Sequence, residues 1–314
     1  LGLIGIVLAL VWFPFETERI RRRRRRERKA ALAAGETVPP AKRIDLDPVG
    51  AVLIALTVLS IMFPFMAGAA SWVWGLLPVG VLLLFAWLRW ERWYTAHGRE
   101  PMVNLALFRL PSFSYGTAIA GTLFLSSTSN FVIVAMFLQT GLGQSALTTA
   151  LIGLPNAVAS AVTAVWAGRH TMRIGRQIVV GSLVLIMTGI ATVIVVIHLI
   201  NTAGISVWWV ALPFAVTGLG AGAFGSANQT LTMLDVPISE GGAAGGVKST
   251  AERIGTAVGN TIITAVLFAA VDATGWITGT TTAFAAVIAL VTIPLAIAIR
   301  DLHRAPRVIQ PTID

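Results

Sequence analysis

Glu252 and Arg253 are neighbouring charged residues within an otherwise apolar stretch of the chain. A charge at the centre of a membrane helix costs about 2.5–3.5 kcal/mol on insertion scales, so such residues usually pair or carry a function. Successive helical residues point about 100° apart, which sends these two toward different partners. An ion pair near a gate is the first reading, and a proton-binding Glu252 is the second. The depth of the acid depends on the helix start. From Gly241 it lies about 16 Å in, and from Gly246 about 9 Å, close enough to snorkel.

Uncharged polar groups in apolar stretches form a second set. Burying them without partners costs several kcal/mol, so they bind a substrate or tie helices together. Ser126, Ser127, Ser129 and Asn130 fall near the middle of one stretch, with Ser126 and Asn130 four apart on one face and Ser129 close to it. Gln139 ends that stretch, where it lines an outer vestibule or faces water. Asn156 follows Pro155, a residue that bends a helix or frees a carbonyl. Asn228 and Gln229 form another polar step, and Asn260 and Thr264 are again four apart. Ser126, Ser129, Asn130, Gln139, Asn156, Asn228, Gln229 and Asn260 are therefore the candidate substrate contacts. Bonding between helices is the competing role for each.

Motifs of soluble enzymes fail on context. Gly220-Ala-Gly222-Ala-Phe-Gly225 has dinucleotide-binding spacing, with Glu240 about where a ribose-binding acid would sit. It lies inside an apolar stretch without strand–helix alternation, and Gly218-x-x-x-Gly222 has the spacing of close helix packing instead. Near Lys248-Ser249-Thr250, Val247 separates the glycine from the lysine, so no phosphate-binding loop forms. His97, His170, His198 and His303 lie far apart, and the chain has no cysteine. No enzyme, metal or cofactor is expected from this inventory.

The elements that hold these residues are set by hydropathy. The 314 residues are 56% hydrophobic and 12% charged, against roughly 25% charged in soluble domains. Eight apolar spans are expected at about 48–67, 72–90, 113–138, 146–167, 177–199, 207–233, 246–270 and 277–299. A shorter stretch, 1–15, reads as the end of a truncated helix. Lys and Arg fall only on alternate connections. The connections 68–71, 139–145, 200–206 and 271–276 have none, while Arg89, Arg92 and Arg99, then Arg169, Arg173 and Arg176, then Arg300, Arg304 and Arg307 mark the others. That alternation places the basic connections in the cytoplasm. Trp72, Trp74, Trp87, Trp90 and Trp93 cluster at span ends, as an interfacial belt does. Met102–Leu110, between Pro101 and Pro111, reads as a short helix on the cytoplasmic surface.

The net charge of +9 is concentrated in one place. Arg19, Arg21–Arg26, Arg28, Lys29, Lys42 and Arg43 are eleven of the 23 basic residues. Removing them leaves no basic face to follow a phosphate backbone, so nucleic acid is excluded. Beside a bilayer, residues 19–29 orient the chain and attract anionic lipid, at about 1 kcal/mol per basic residue.

The connection Gly168-Arg-His-Thr-Met172-Arg173-Ile-Gly175-Arg176 can clamp neighbouring helix C-termini, where carbonyls carry partial negative charge. In its Gly…Arg-x-Gly-Arg pattern the chain resembles the major facilitator superfamily, although the family's usual Asp before the Arg is Met172 here. Further stretches resemble the fourteen-span drug:proton antiporters of that superfamily. They are Pro101-Met-Val-Asn-Leu-Ala-Leu-Phe108-Arg109, Leu138-Gln139-x-x-Leu142-Gly143-x-Ser145-Ala146-Leu147, Gly153-Leu-Pro155 and Gly245-Gly-Val-x-x-Thr250-x-x-Arg253-Ile-Gly255-x-x-x-Gly259.

The resemblance implies an all-α integral membrane protein. Residues 1–15 would end a preceding helix, 16–46 form a basic cytoplasmic loop, and 47–94 supply two extra central helices. Residues 95–112 would hold an interfacial helix, 113–300 a C-terminal six-helix bundle and 301–314 a cytoplasmic tail. It implies a multi-pass plasma-membrane multidrug exporter that exchanges protons for an amphipathic compound, cations included, by alternating access. Gly168, Arg169, Arg173, Gly175, Arg176, Glu252 and Arg253 would be gating or structural residues. The proton-carrying acids would lie mainly in a first bundle outside these residues. The rival reading is a non-transporting scaffold or sensor built on the same helices.

Overall fold

A computed structural model describes residues 47–304, apart from 68–70, 98, 100 and 102. Expectations for residues 1–46, including the truncated helix and the lipid-attracting arginines, and for the tail from 305 fall outside the described residues. No strand occurs among those described.

The order is α1 (Pro48–Ala67), a 3-10 turn, α2 (Leu76–Ala96), a second 3-10 turn (Leu105–Arg109), α3 (Pro111–Ser127), α4 (Ser129–Met136), α5 (Ala146–Ala203), α6 (Ala211–Thr232), α7 (Gly241–Thr274) and α8 (Trp276–Arg304). Among the described residues, six continuous helical stretches are long and apolar enough to cross a membrane. Two of them, of 58 and 67 residues, exceed one crossing at 1.5 Å per residue. The first is α5, whose helical geometry breaks at Ile174 (φ −134°, ψ 25°). The second comprises a short 3-10 turn, α7 and α8, and Gly275 (φ 83°) separates those two helices. The sequence places a connection at 168–176. The structure keeps it helical except at Ile174, where the backbone leaves helical geometry and α5 kinks. Pro155 does not mark a break, and helical geometry continues through it.

A membrane explains the surface. Leu151, Leu154, Val158, Val162 and Val165 recur at helical spacing on one exposed face of α5, an apolar stripe suited to an apolar surrounding such as lipid. Hydroxyls follow the same rule. Thr188 and Thr192 donate to carbonyls one turn back, at 2.9 and 2.8 Å, so neither meets lipid unpaired.

Glycine spacing sets how closely the helices approach. A Cβ on Gly218 or Gly222 of α6 would fall on the Asn156 and Ser160 carbonyls of α5. One on Gly255 or Gly259 of α7 would fall on the Gly121 and Leu125 carbonyls of α3. In both pairs two residues four apart on one helix meet two four apart on the other, the small-xxx-small geometry of membrane helices. The motif around Gly220 is therefore a packing surface.

The expected surface helix at Met102–Leu110 is one 3-10 turn. Asn104 caps it, accepting from the Ala106 amide at 2.9 Å and donating to Glu240 at 2.8 Å. Leu107 is buried with Phe113 and Ala244, which anchors the turn against the bundle. Of the expected tryptophan belt, Trp72, Trp74 and Trp93 are exposed while Trp87 is buried. Asp47 precedes α1 and accepts from the Gly50 amide and the Trp90 indole, at 2.9 and 3.0 Å. Glu91 is also fully buried.

Candidate functional site

Helices α1, α3 and α7 line an open cavity of about 530 Å³. Helix α7 supplies Ser249, Glu252, Arg253, Thr256, Asn260 and Thr261, one face of an amphipathic helix. Phe124 of α3 and Met62, Phe65 and Met66 of α1 close the apolar side. Thr261 donates to the Phe65 carbonyl at 2.7 Å, which fixes α1 against α7 at this level. The volume lies in the range of drug-sized ligand sites.

Helix α7 begins at Gly241, so Glu252 lies about 16 Å along it. Its carboxylate is paired with Lys248 on the preceding turn. Lys248 is buried, an interaction that sequence reading missed although the i, i+4 spacing is its signature. Arg253 also borders the cavity, is exposed, and has no ion pair among the described residues. Asn260 accepts from Ser129 at 2.9 Å, which joins α4 to the cavity wall.

The other polar candidates are not gathered here. Ser126 is fully buried and donates to Leu123 in its own helix at 2.9 Å. Asn130 is buried nearby, and its side-chain oxygen has no hydrogen-bond partner among the described residues. Asn156 donates to the Phe214 carbonyl and the Thr217 hydroxyl, at 2.8 and 2.9 Å, and so ties α5 to α6. Asn228 donates to the Gly116 carbonyl at 3.1 Å, tying α6 to α3. Gln139 and Gln229 are exposed. The structure thus brings Ser129, Glu252, Arg253 and Asn260 together and spends Asn156 and Asn228 on helix contacts. The apolar lining of Phe65, Met62, Met66 and Phe124 carried no sequence signal, because such residues fill every span.

At the kink of α5, Gly175 is buried against Thr171 and Leu231, and Gly168 lies beside Ser226. Arg176 pairs with Asp301 of α8 at 2.9 Å. Arg169 and Arg173 are exposed. Arg304 donates to the Tyr115 hydroxyl at 2.6 Å. Each of the four histidines places Nδ1 near a carbonyl one turn back on its own helix. Among the described residues no group of His, Asp and Glu could hold a metal.

These features describe a multi-pass helical membrane protein, with a polar-and-apolar cavity among its helices. No family model matches the sequence. Curated relatives agree with the class. The chain is 26% identical over 72% of its length to the probable actinorhodin transporter of Streptomyces coelicolor, covering 40% of that protein. It is 27% identical over 74% of its length to the multidrug resistance protein Stp of Mycobacterium tuberculosis, covering 42%. It is also 27% identical over 76% of its length to the multidrug efflux pump LfrA of Mycolicibacterium smegmatis, covering 48%. The chain spans less than half of each of these relatives. These relatives carry drug- and antibiotic-transport names, as the resemblance to drug:proton antiporters leads one to expect.

Proposed function

We propose that the protein exports amphipathic small molecules in exchange for protons by alternating access, with the cavity between α1, α3 and α7 forming part of the substrate path. The observation that carries this reading is the cavity itself. It combines aromatic and methionine walls with Glu252, Arg253 and Asn260, and it opens on helices that glycine pairs hold in close contact. Relatives bearing drug-transport names support the substrate class.

In this reading α1 and α2 are the two central helices, and α3 to α8 are the six-span bundle, α5 crossing twice around Ile174. That bundle rocks against a second one. The Arg176–Asp301 pair and the glycines of the α5 kink hold the cytoplasmic ends together while it moves. Residues 19–29 anchor the cytoplasmic side to anionic lipid.

The test is dye transport in vesicles carrying the protein, with and without an imposed pH gradient. Gradient-driven dye movement that collapses when a protonophore is added is the expected result. Dye movement indifferent to the gradient would overturn proton exchange, and no movement at all would favour a scaffold or sensor.

A further inference from the structure

We infer that this cavity selects an amphipathic anion, such as an aromatic carboxylate or phenolate, over a cation; the inference rests on reading the cavity as the substrate site. Three formal charges stand at or beside the lining: Lys248, Glu252 and Arg253. Two cations face one anion, so the site is positive. The acid, which would attract a cationic ligand, is already engaged by Lys248 within the same helix. A cation entering here would meet the lysine charge together with the carboxylate and gain little. Arg253 lines the same cavity, is exposed and pairs with no acid among the described residues. Its planar guanidinium offers a fork of donors that matches a carboxylate in two parallel hydrogen bonds.

The uncharged groups offer both donors and acceptors. Thr256 spends its hydroxyl proton on the Glu252 carbonyl, and Thr261 spends its own on Phe65, so either hydroxyl oxygen can still accept. Ser129 takes one acceptor position of the Asn260 oxygen. The donors left for a ligand are the Asn260 amide N–H, the Ser249 hydroxyl and Arg253. Of these only Arg253 is charged, so Arg253 supplies the preference for an anion. Opposite them, Phe65, Phe124, Met62 and Met66 supply a soft apolar wall for an aromatic skeleton.

Two dyes with one three-ring skeleton and opposite charge provide the test: fluorescein, an anion in mildly alkaline buffer, and rhodamine 123, a cation. Binding to the full chain in an uncharged detergent is followed by fluorescence anisotropy. Fluorescein is expected to bind more tightly. Arg253→Gln should weaken fluorescein roughly tenfold, the scale of one partly screened charge pair, while leaving rhodamine 123 unchanged or slightly tighter. Arg253→Lys should keep most of the anion preference. Should Arg253→Gln fail to fold, the comparison of the two dyes on the unaltered chain still decides. Tighter or equal binding of rhodamine 123 would overturn the anion inference while leaving the cavity as a ligand site. Fluorescein affinity unmoved by Arg253→Gln in a folded protein would overturn it too. Binding of neither dye would remove both the inference and the cavity reading beneath it.

Discussion

Lys248 and Glu252 are each mostly hidden, with side-chain exposures of 9% and 20%, so each charge depends on the other. Removing one leaves an uncompensated charge, whereas removing both leaves an apolar turn. Lys248→Met is expected to destabilise the protein by about 2 kcal/mol, less than for a fully buried pair because Glu252 borders the cavity. The double change Lys248→Met with Glu252→Met should recover most of that loss. Thermal unfolding in detergent, followed by circular dichroism, measures both, and a double variant no better than the single would refute the pairing. Asn156 and Asn228 show the limit of residue-level reading. Their partners, Phe214, Thr217 and Gly116, are 58 to 112 positions away. Sequence leaves open whether such an amide serves ligand or helix, and only the approach of α5 to α6, or of α6 to α3, decides it.

Among the helices, contact is governed by where a side chain is missing. Gly222 and Gly259 face carbonyls of the neighbouring helix with no room for a Cβ, whereas Gly181 and Gly225 have nothing within 4 Å of that position. Gly222→Ala and Gly259→Ala should each cost about 2–3 kcal/mol by forcing backbones apart. Gly181→Ala and Gly225→Ala should be neutral or stabilising by up to about 1 kcal/mol, since alanine favours helix. The same melting measurement ranks the four, and equal costs at all of them would show that close packing is not what these glycines provide. The existence of the helices was legible from apolar run length, and the Gly218-x-x-x-Gly222 contact from spacing. The shape of the connections was less so. The arginine-rich turn at 168–176 reads as a loop by composition, yet hydrogen bonding along the backbone continues on both sides of Ile174.

The whole molecule is defined by its threading through the bilayer. Because the chain has no cysteine, single cysteines report sidedness directly. Asn201→Cys, near the end of α5, should react with a membrane-impermeant maleimide on intact cells. Asp235→Cys, between α6 and α7, should react only after the membrane is opened. Reaction of both from one side would break the alternation of basic and non-basic connections and reverse the assignment of the cytoplasmic face.

The sequence by itself determined that the chain is helical and lives in a membrane. Hydropathy and the placement of arginines act locally, through the cost of exposing backbone or charge to hydrocarbon, and need no knowledge of distant contacts. Its motifs also pointed to drug transporters, and relatives of that kind exist. Tertiary structure alone decided which polar residues meet. Ser129 reaches Asn260 across 131 positions, and Phe65 reaches Thr261 across 196, because glycine-lined faces let α3 and α7 approach and α1 settles against them. It also placed Arg253 on the cavity lining opposite the aromatic and methionine side chains of α1 and α3, whereas the Lys248–Glu252 pair is a contact one turn apart within a single helix.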